Sequence, residues 1–315
     1  MKILITGGAG FIGSKIINKL VLDSSQTYKI VVLDNMLEQI HGNTPELIDG
    51  VTYIIGDVRN ESDWKKALEF NPEVILHLAS ETGTGQSMDE INRYTTTNIV
   101  GTSLMLDLIN SGKYGTKKII LSSSRAVYGE GINDENNKFL EPKSVYAITK
   151  LTQEQLIKTS SKVPYTILRY QNVFGDGQSL NNPYTGIISI FSNLFINNKD
   201  VTIFDNGKPT RDFIYVNDVV NATLGCIINE NTNYKTYDIG TGIPSKILDV
   251  TQQLKKLIDS NSKIIVTDYH RKGDIMHAYT TSNKLYKDIG WSPVCTLNEG
   301  LVKFVNWFKK EIKNG

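Results

Sequence analysis

The stretch Thr6-Gly7-Gly8-Ala9-Gly10-Phe11-Ile12-Gly13 leaves this chain few folds to choose from. An apolar run, Lys2–Thr6, leads into it, and helical periodicity over Ile12–Leu22 follows at once. Gly7 permits a tight strand-to-helix turn, Gly10 lets backbone come close to a pyrophosphate, and Gly13 lets the helix pack against the strand. The helix N-terminus then offers unpaired N–H groups and a positive dipole end to phosphate oxygens. A second apolar run, Lys29–Leu33, delivers Asp34 about 20 residues past Gly13, where a carboxylate accepts from adenosine ribose hydroxyls and repels a 2′-phosphate. The pattern therefore predicts NAD rather than NADP. Glycines alone would mark only a flexible turn; strand, helix and acid in register make the fingerprint. Asp57, at the end of a third run, is a candidate for the adenine edge or, equally, a cap for a helix near Ser62.

Further along, short apolar β-rich runs alternate with helical patterns. The runs are Lys2–Thr6, Lys29–Leu33, Val51–Ile55, Val74–Leu78, Lys118–Ser122, Tyr165–Arg169 and Thr236–Ile239. The first six show little apolar/polar alternation, as expected of strands buried on both faces of a parallel sheet. Helical candidates lie around Ile12–Leu22, Ser62–Phe70, Asn92–Ser111 and Ser144–Ser161. This alternation predicts an α/β fold, a Rossmann-type doubly wound parallel sheet. After about Tyr170 Asn and Gly become frequent, and helices near Tyr184–Asn197, Asp249–Ile258 and Leu297–Ile312 dominate. We expect residues 1–170 to form the NAD-binding domain, with a segment of about 212–240 returning to it. Residues 171–211 and 241–315 would form a smaller mixed α/β substrate domain.

Bulk properties remove other function classes. A length of 315 residues suits roughly two domains. A formal net charge of +1 gives no field for gripping nucleic acid or an acidic membrane. Cys226 and Cys295 are isolated, so neither a disulfide framework nor a zinc site is expected. His41, His77, His270 and His277 form no ligand spacing, and no metal is expected. His77, ending an apolar run, reads as a core histidine. No apolar run approaches the ~18 residues of a membrane span. The glycine turn comes too early for a signal peptide, so a cytoplasmic location is expected.

The chemistry concentrates around Ser144-Val145-Tyr146-Ala147-Ile148-Thr149-Lys150. Tyr146 and Lys150 are one helical turn apart and share a face. An ammonium near a phenol stabilises the phenolate, lowering its pKa from ~10. Such a Tyr can take the proton from an alcohol while hydride leaves the carbon. A solvent-facing Tyr–Lys pair has the same spacing. This one follows a nucleotide fingerprint and a strand ending in Ser122-Ser123-Ser124, at the edge where doubly wound sheets bind ligands. A serine there can hydrogen-bond the reacting oxygen, although Ser122 and Ser123 also suit a plain serine-rich turn.

Gly7–Gly13, Asp34, His77-Leu78-Ala79, Asn98–Thr102, Ser122–Gly129, Tyr146 with Lys150, Arg169–Gly175, Arg211–Val219 and Arg271–Asp274 together resemble the extended short-chain dehydrogenase/reductases. More narrowly they resemble the nucleotide-sugar epimerase/dehydratase group, over nearly the whole chain. The resemblance implies a catalytic set of Ser124, Tyr146 and Lys150. It implies NAD contacts from Gly7, Gly10, Phe11, Ile12, Gly13, Asp34, Asn35, Asp57, Val58, Leu78, Ala79, Ser122, Tyr146 and Lys150. The nucleotide-diphosphate sugar would meet Thr82, Ser124, Tyr146, Asn172, Phe204, Arg211, Arg271 and Asp274. Guanidinium forks do suit phosphate oxygens, but read alone Arg211 and Arg271 would be surface ion-pair formers. Asn98 suits a structural or a catalytic role. A homodimer joined by the helices Asn92–Ser111 and Ser144–Ser161 is also implied.

The two residues after Ser124 narrow the reaction. In the 4,6-dehydratase relatives an Asp-Glu pair stands directly after the equivalent residue. A Glu stands two places after it in decarboxylating relatives, and a Cys there in 3,5-epimerising ones. Here Arg125 and Ala126 occupy these positions. Arg stays protonated and Ala is inert, so neither supplies an acid or base. The remaining chemistry is 4-epimerisation: the C4 hydroxyl is oxidised, the 4-keto sugar rotates, and hydride returns to its opposite face. A one-way dehydrogenase or 4-ketoreductase shares the same residues. A 4,6-dehydratase ranks below it, and a non-enzymatic NAD-binding regulator has no use for them. Arg125 suits contact with an anionic or polar sugar group, or simply solvent. The segment Glu81–Ser87 suits a loop beside the sugar or only a tight turn. Gln171 replaces the family's usual aromatic residue. Ala278 falls where 4-epimerase relatives limit sugar size, so a small side chain there would admit a bulky C2 substituent. Asp34→Ala should weaken NAD relative to NADP, measured by titrating both dinucleotides; an unchanged preference contradicts the ribose assignment.

Overall fold

The computed structural model describes residues 1–41, 47–134, 139–180, 182, 184, 186–270 and 274–314. Seven strands form one parallel sheet, in the spatial order Lys235–Ile239, Tyr165–Tyr170, Lys118–Ser124, Val74–His77, Lys2–Thr6, Lys29–Asp34 and Thr52–Ile55. All of its pairings are parallel. Apolar runs without alternation fit this burial in the sheet interior, where Ile3, Leu4 and Ile5 are completely enclosed, with neighbours packed on opposite faces of the sheet, but not at its edge, where Thr52–Ile55 is half-buried to exposed. The order reverses between Lys2–Thr6 and Val74–His77, which opens a crevice at the carboxyl ends of those strands. The expected doubly wound sheet is present, and the strand near residue 236 lies at its edge beside Tyr165–Tyr170.

The helices pack on both faces. Phe11–Val21 and Val216–Ile228 share one core cluster, through Ile16, Ile17, Val219 and Val220. On the other face Trp64, Met105, Ile109 and Ile157 gather around Leu4, Ile75 and Ile119. The helical pattern read over Asn92–Ser111 is a continuous helical run that changes type along its length. Helical turns at Ile91–Tyr94 and Gly101–Asn110 flank a π-helical stretch, Thr95–Val100. The long helix Val145–Ser160 begins at Ser144, whose side chain accepts from the Ala147 N–H at 3.2 Å, an N-cap bond.

The second half contains short strands that the sequence pattern does not reveal. Pro244–Lys246, Thr210–Tyr215, His277–Thr280 and Gly131–Asn133 form a second sheet, and Asn172–Phe174 also pairs with Thr210–Tyr215. Val201–Ile203 pairs with Ile264–Val266. Three-residue strands carry no readable period. A separate core of Phe174, Phe195, Phe213, Leu254, Phe304 and Phe308 holds these to the helices Ile187–Ile196, Ile247–Ile258 and Leu297–Asn314.

One buried polar cluster joins three strands of the main sheet to the helix Val145–Ser160. Arg169 grips Glu154 with both ends of its fork, Nε to Oε1 at 2.8 Å and Nη2 to Oε2 at 2.6 Å. Its Nη1 donates to the Tyr128 hydroxyl, which donates to Asp238. Ser123 donates to Glu154 at 2.5 Å. Although burial alone would raise it, Arg169 holds the Glu154 carboxyl below its usual range. Removing one member of such a pair strands a buried charge, whereas replacing both by apolar groups is tolerated. Arg169→Met should therefore cost about 3–5 kcal/mol in urea unfolding, with Glu154→Leu added recovering much of it; a loss below about 1 kcal/mol rejects this account.

Candidate active site

A cleft of about 1100 Å³ lies along the carboxyl edge of the main sheet. It runs from the glycine turn, past Ser124 and Tyr146, to Phe204 and Trp307. This exceeds the roughly 300–1000 Å³ usual for one small ligand. There is room for a dinucleotide and a second molecule.

At one end the fingerprint is assembled in space. Gly7 has φ +67°, and a Cβ on it would lie 2.7 Å from the Ala79 nitrogen. A Cβ on Gly13 would lie 2.6 Å from the Gly7 carbonyl oxygen, so only glycine lets the helix approach the strand this closely. Gly10 precedes the helix Phe11–Val21, whose first residues line the cleft and whose first amides have no partner within the helix. Asp34 ends its strand almost fully buried. Its Oδ2 accepts from the Ala9 N–H and its Oδ1 from the Met36 N–H, both at 3.0 Å. The His41 ring nitrogen stands 3.4 Å from the same Oδ1, a contact that spacing in the sequence does not signal. Asn35, Val58, Leu78, Ala79 and Ser122 also line this end. These residues fit a dinucleotide: a glycine cradle for the pyrophosphate and a fixed carboxylate where a ribose would end.

Asp57 departs from expectation. Its carboxylate is engaged by the Arg59 fork, at 2.6 and 2.9 Å, and by Asn35 at 3.2 Å. Burial alone would raise its pKa, but Arg59 and Asn35 hold it below the usual carboxylate range. Gly56 and Val58 line the cleft, and Asp57 between them does not. The helix that follows, Glu61–Leu68, has Asn60 rather than Asp57 at its N-cap.

Ser124, Tyr146 and Lys150 all line the cleft, and Ser124 is hydrogen-bonded to Tyr146. Burial raises the Tyr146 phenol, while a hydrogen bond with Ser124 and the nearby Arg125 pull it back down. Ser124 Oγ also accepts from the Ala126 N–H at 3.2 Å, which fixes its lone pairs. Lys150 donates to the Ser122 carbonyl at 2.9 Å. Burial pushes its ammonium down to about 7, against the opposing pull of Glu154. Tyr94 meets Tyr146 edge-on, with ring centroids 6.4 Å apart, and donates its hydroxyl to the Thr82 carbonyl at 2.5 Å. A phenol, an ammonium and a hydroxyl so arranged can hold an alcohol oxygen and move its proton.

Two polar residues brace this centre. Asn98, completely buried in the π-helical stretch, uses both ends of its amide. Its Oδ1 accepts from Ser80 Oγ at 2.9 Å and from the Glu81 N–H at 2.8 Å. Its Nδ2 donates to the Glu81 carbonyl and to Thr149 Oγ1, at 3.1 and 2.9 Å. It thereby ties the 80–82 loop to the helix bearing Tyr146. His77 lies between the hydroxyls of Thr6 and Thr102, at 2.7 and 3.1 Å. Burial and Lys150 depress it to about 3, so it is neutral.

Thr82, Asn172, Phe204, Arg211 and Asp274 also line the cleft. The Asn172 side-chain oxygen is buried without a partner among the described residues. The Arg211 fork is already held by the carbonyls of Thr210 and Ile275, at 2.8 and 2.7 Å. Arg271 lies outside the described residues. Gln171 donates to Asn133 Oδ1 at 3.0 Å and faces the cleft. Ala278 does not line it; fully enclosed, it is paired with Arg211 on one side and Gly131 on the other. Arg125 faces the cleft rather than open solvent, with Nη1 buried.

The pattern defining the NAD dependent epimerase/dehydratase family matches residues 3–240. A dTDP-L-rhamnose 4-epimerase of Burkholderia thailandensis is 35% identical over 99% of this chain and 96% of its own. Among solved structures, a UDP-glucose 4-epimerase of Thermotoga maritima with UDP-glucose is 30% identical, with TM-score 0.87 over 99% of this chain and 100% of that one. A Thermus thermophilus UDP-glucose 4-epimerase in complex with NAD is 27% identical, with TM-score 0.86 over 98% and 99%.

Proposed function

Since this chain belongs to the NAD-dependent epimerase/dehydratase family, we propose that it is a nucleotide-sugar 4-epimerase acting on a UDP- or dTDP-hexose. One observation carries the reading: Ser124, Tyr146 and Lys150 all line the cleft, Ser124 hydrogen-bonded to Tyr146, and the residues after Ser124 bring no further acid or base. Gly7, Gly10, Gly13 and Asp34 would hold NAD, whose nicotinamide would supply an acceptor and then a donor for the C4 hydride. Ser124 holds the C4 oxygen. Tyr146, as phenolate, takes its proton and gives it back after the sugar has turned. Lys150 steadies the phenolate when charged. Asn172 and Arg211 face the diphosphate, with Thr82, Phe204 and Asp274 along the rest of the sugar nucleotide. The undescribed Arg271 belongs to the same set.

Residues 1–170 with about 212–240 serve the cofactor in this reading, and 171–211 with 241–315 the sugar nucleotide. Ile91, Val100 and Ile148 expose apolar surface on the elements around Gly101–Asn110 and Val145–Ser160, which supports a homodimer through them; a monomeric mass by light scattering would remove it. Among the described residues no helix is long and apolar enough to cross a membrane. Cys226 and Cys295 are both free thiols, in keeping with the cytoplasm.

The test is to release and identify bound dinucleotide, then follow UDP-, dTDP-, GDP- and CDP-hexoses by NMR without added cofactor. Inversion at C4 is expected; net change in nicotinamide absorbance without inversion would replace the epimerase by a one-way oxidoreductase. Tyr146→Phe should lower turnover by about 10²–10⁴-fold with NAD retained, and near-normal turnover would remove Tyr146 as the base.

A further inference from the structure

Arg125 has a charged donor that the protein leaves unmet. It starts the short turn Arg125–Tyr128 directly after Ser124, and its side chain lines the cleft. Nη1 is buried and has no acceptor among the described residues. Arg169, Arg93 and Arg59, by contrast, each pair with a carboxylate: Arg169 with Glu154, Arg93 with Glu81 and Glu90, Arg59 with Asp57. A buried guanidinium N–H without an acceptor is costly unless a ligand supplies one.

The surroundings say what kind of acceptor fits. The Arg125 guanidinium is pushed down to about 9 by burial and by the like charge of Arg211, with Tyr146, Asp274 and Glu130 only partly offsetting this. Two cations facing one space favour an anion between them.

We propose that Arg125 is a specificity-determining residue that donates from Nη1 to an anionic oxygen of the bound sugar nucleotide. This rests on the sugar-nucleotide reading above. Two groups carry such an oxygen: the diphosphate, and a carboxylate on the sugar. A planar fork suits either.

Binding separates them without turnover. NAD-loaded native protein and the Arg125→Ala variant are titrated calorimetrically with UMP, UDP, UDP-glucose and UDP-glucuronate, and with dTMP, dTDP and dTDP-glucose. If Arg125 meets the diphosphate, the variant binds UDP and UDP-glucose about 10–100-fold more weakly while UMP is spared. If it meets a carboxylate, only UDP-glucuronate is weakened to that degree. Equal affinities for every ligand, or a loss that extends to UMP, would overturn the proposal. Native protein that binds none of the seven overturns the sugar-nucleotide reading itself. Bound NAD and the melting temperature verify the fold. If Arg125→Ala fails to fold, Arg125→Gln and Arg125→Lys replace it; Lys should retain more affinity than Gln for the same ligand, and equal behaviour of the two counts against the assignment.

Discussion

Every functional group in this molecule depends on seven strands running the same way. A parallel sheet delivers all its carboxyl ends to one edge, and the reversal of strand order beside Lys2–Thr6 leaves a crevice there that no helix fills. The glycine turn, Asp34, Ala79 and Ser124 all lie at or just past strand ends, so they reach one cleft although they are far apart in sequence. Position within that cleft is then refined by side chains. The Glu154–Arg169 pair anchors the helix of Tyr146 and Lys150 to the sheet, and Asn98 anchors the same helix to the 80–82 loop. Hydrogen bonds in a dry interior are stiff and directional, which suits a centre where a proton must move over a short, fixed distance.

The cleft is also poised electrostatically. Lys150 and Arg125 are both held below their ordinary pKa values by burial. Each is a cation that a negative partner would stabilise: a phenolate at Tyr146 for the first, an anionic ligand for the second. Binding and reaction therefore supply charges that the free protein lacks. His77 behaves oppositely: kept neutral by its enclosure, it accepts and donates among hydroxyls and adds no charge to the region.

The parts legible in the sequence were those whose physics is local. A glycine that needs φ +67°, a strand end followed by an acid, and two side chains one turn apart leave their mark within a few residues. So did buried parallel strands, through unbroken apolar runs. Gly131–Asn133 and Asn172–Phe174 were not legible, because their partners His277–Thr280 and Thr210–Tyr215 lie far along the chain. The same holds for His41 beside Asp34 and for the burial of Arg125. Asp57 shows a local pairing that its position did not suggest: Arg59, two residues on, engages its carboxylate.

The π-helical stretch Thr95–Val100 has a geometric consequence for the helix that contains it. An α-helix advances about 100° per residue, so its two ends stay locked in angular phase. A wide turn absorbs extra backbone and resets that phase, as π-bulges do at functional sites. Upstream, Tyr94 is aimed at Thr82 and Tyr146; downstream, Thr102 is aimed at His77 and Gln153. The stretch thus works as a vernier between two separately fitted surfaces. Shortening it by one residue would regularise the coil yet swing one of those surfaces out of alignment with its counterpart.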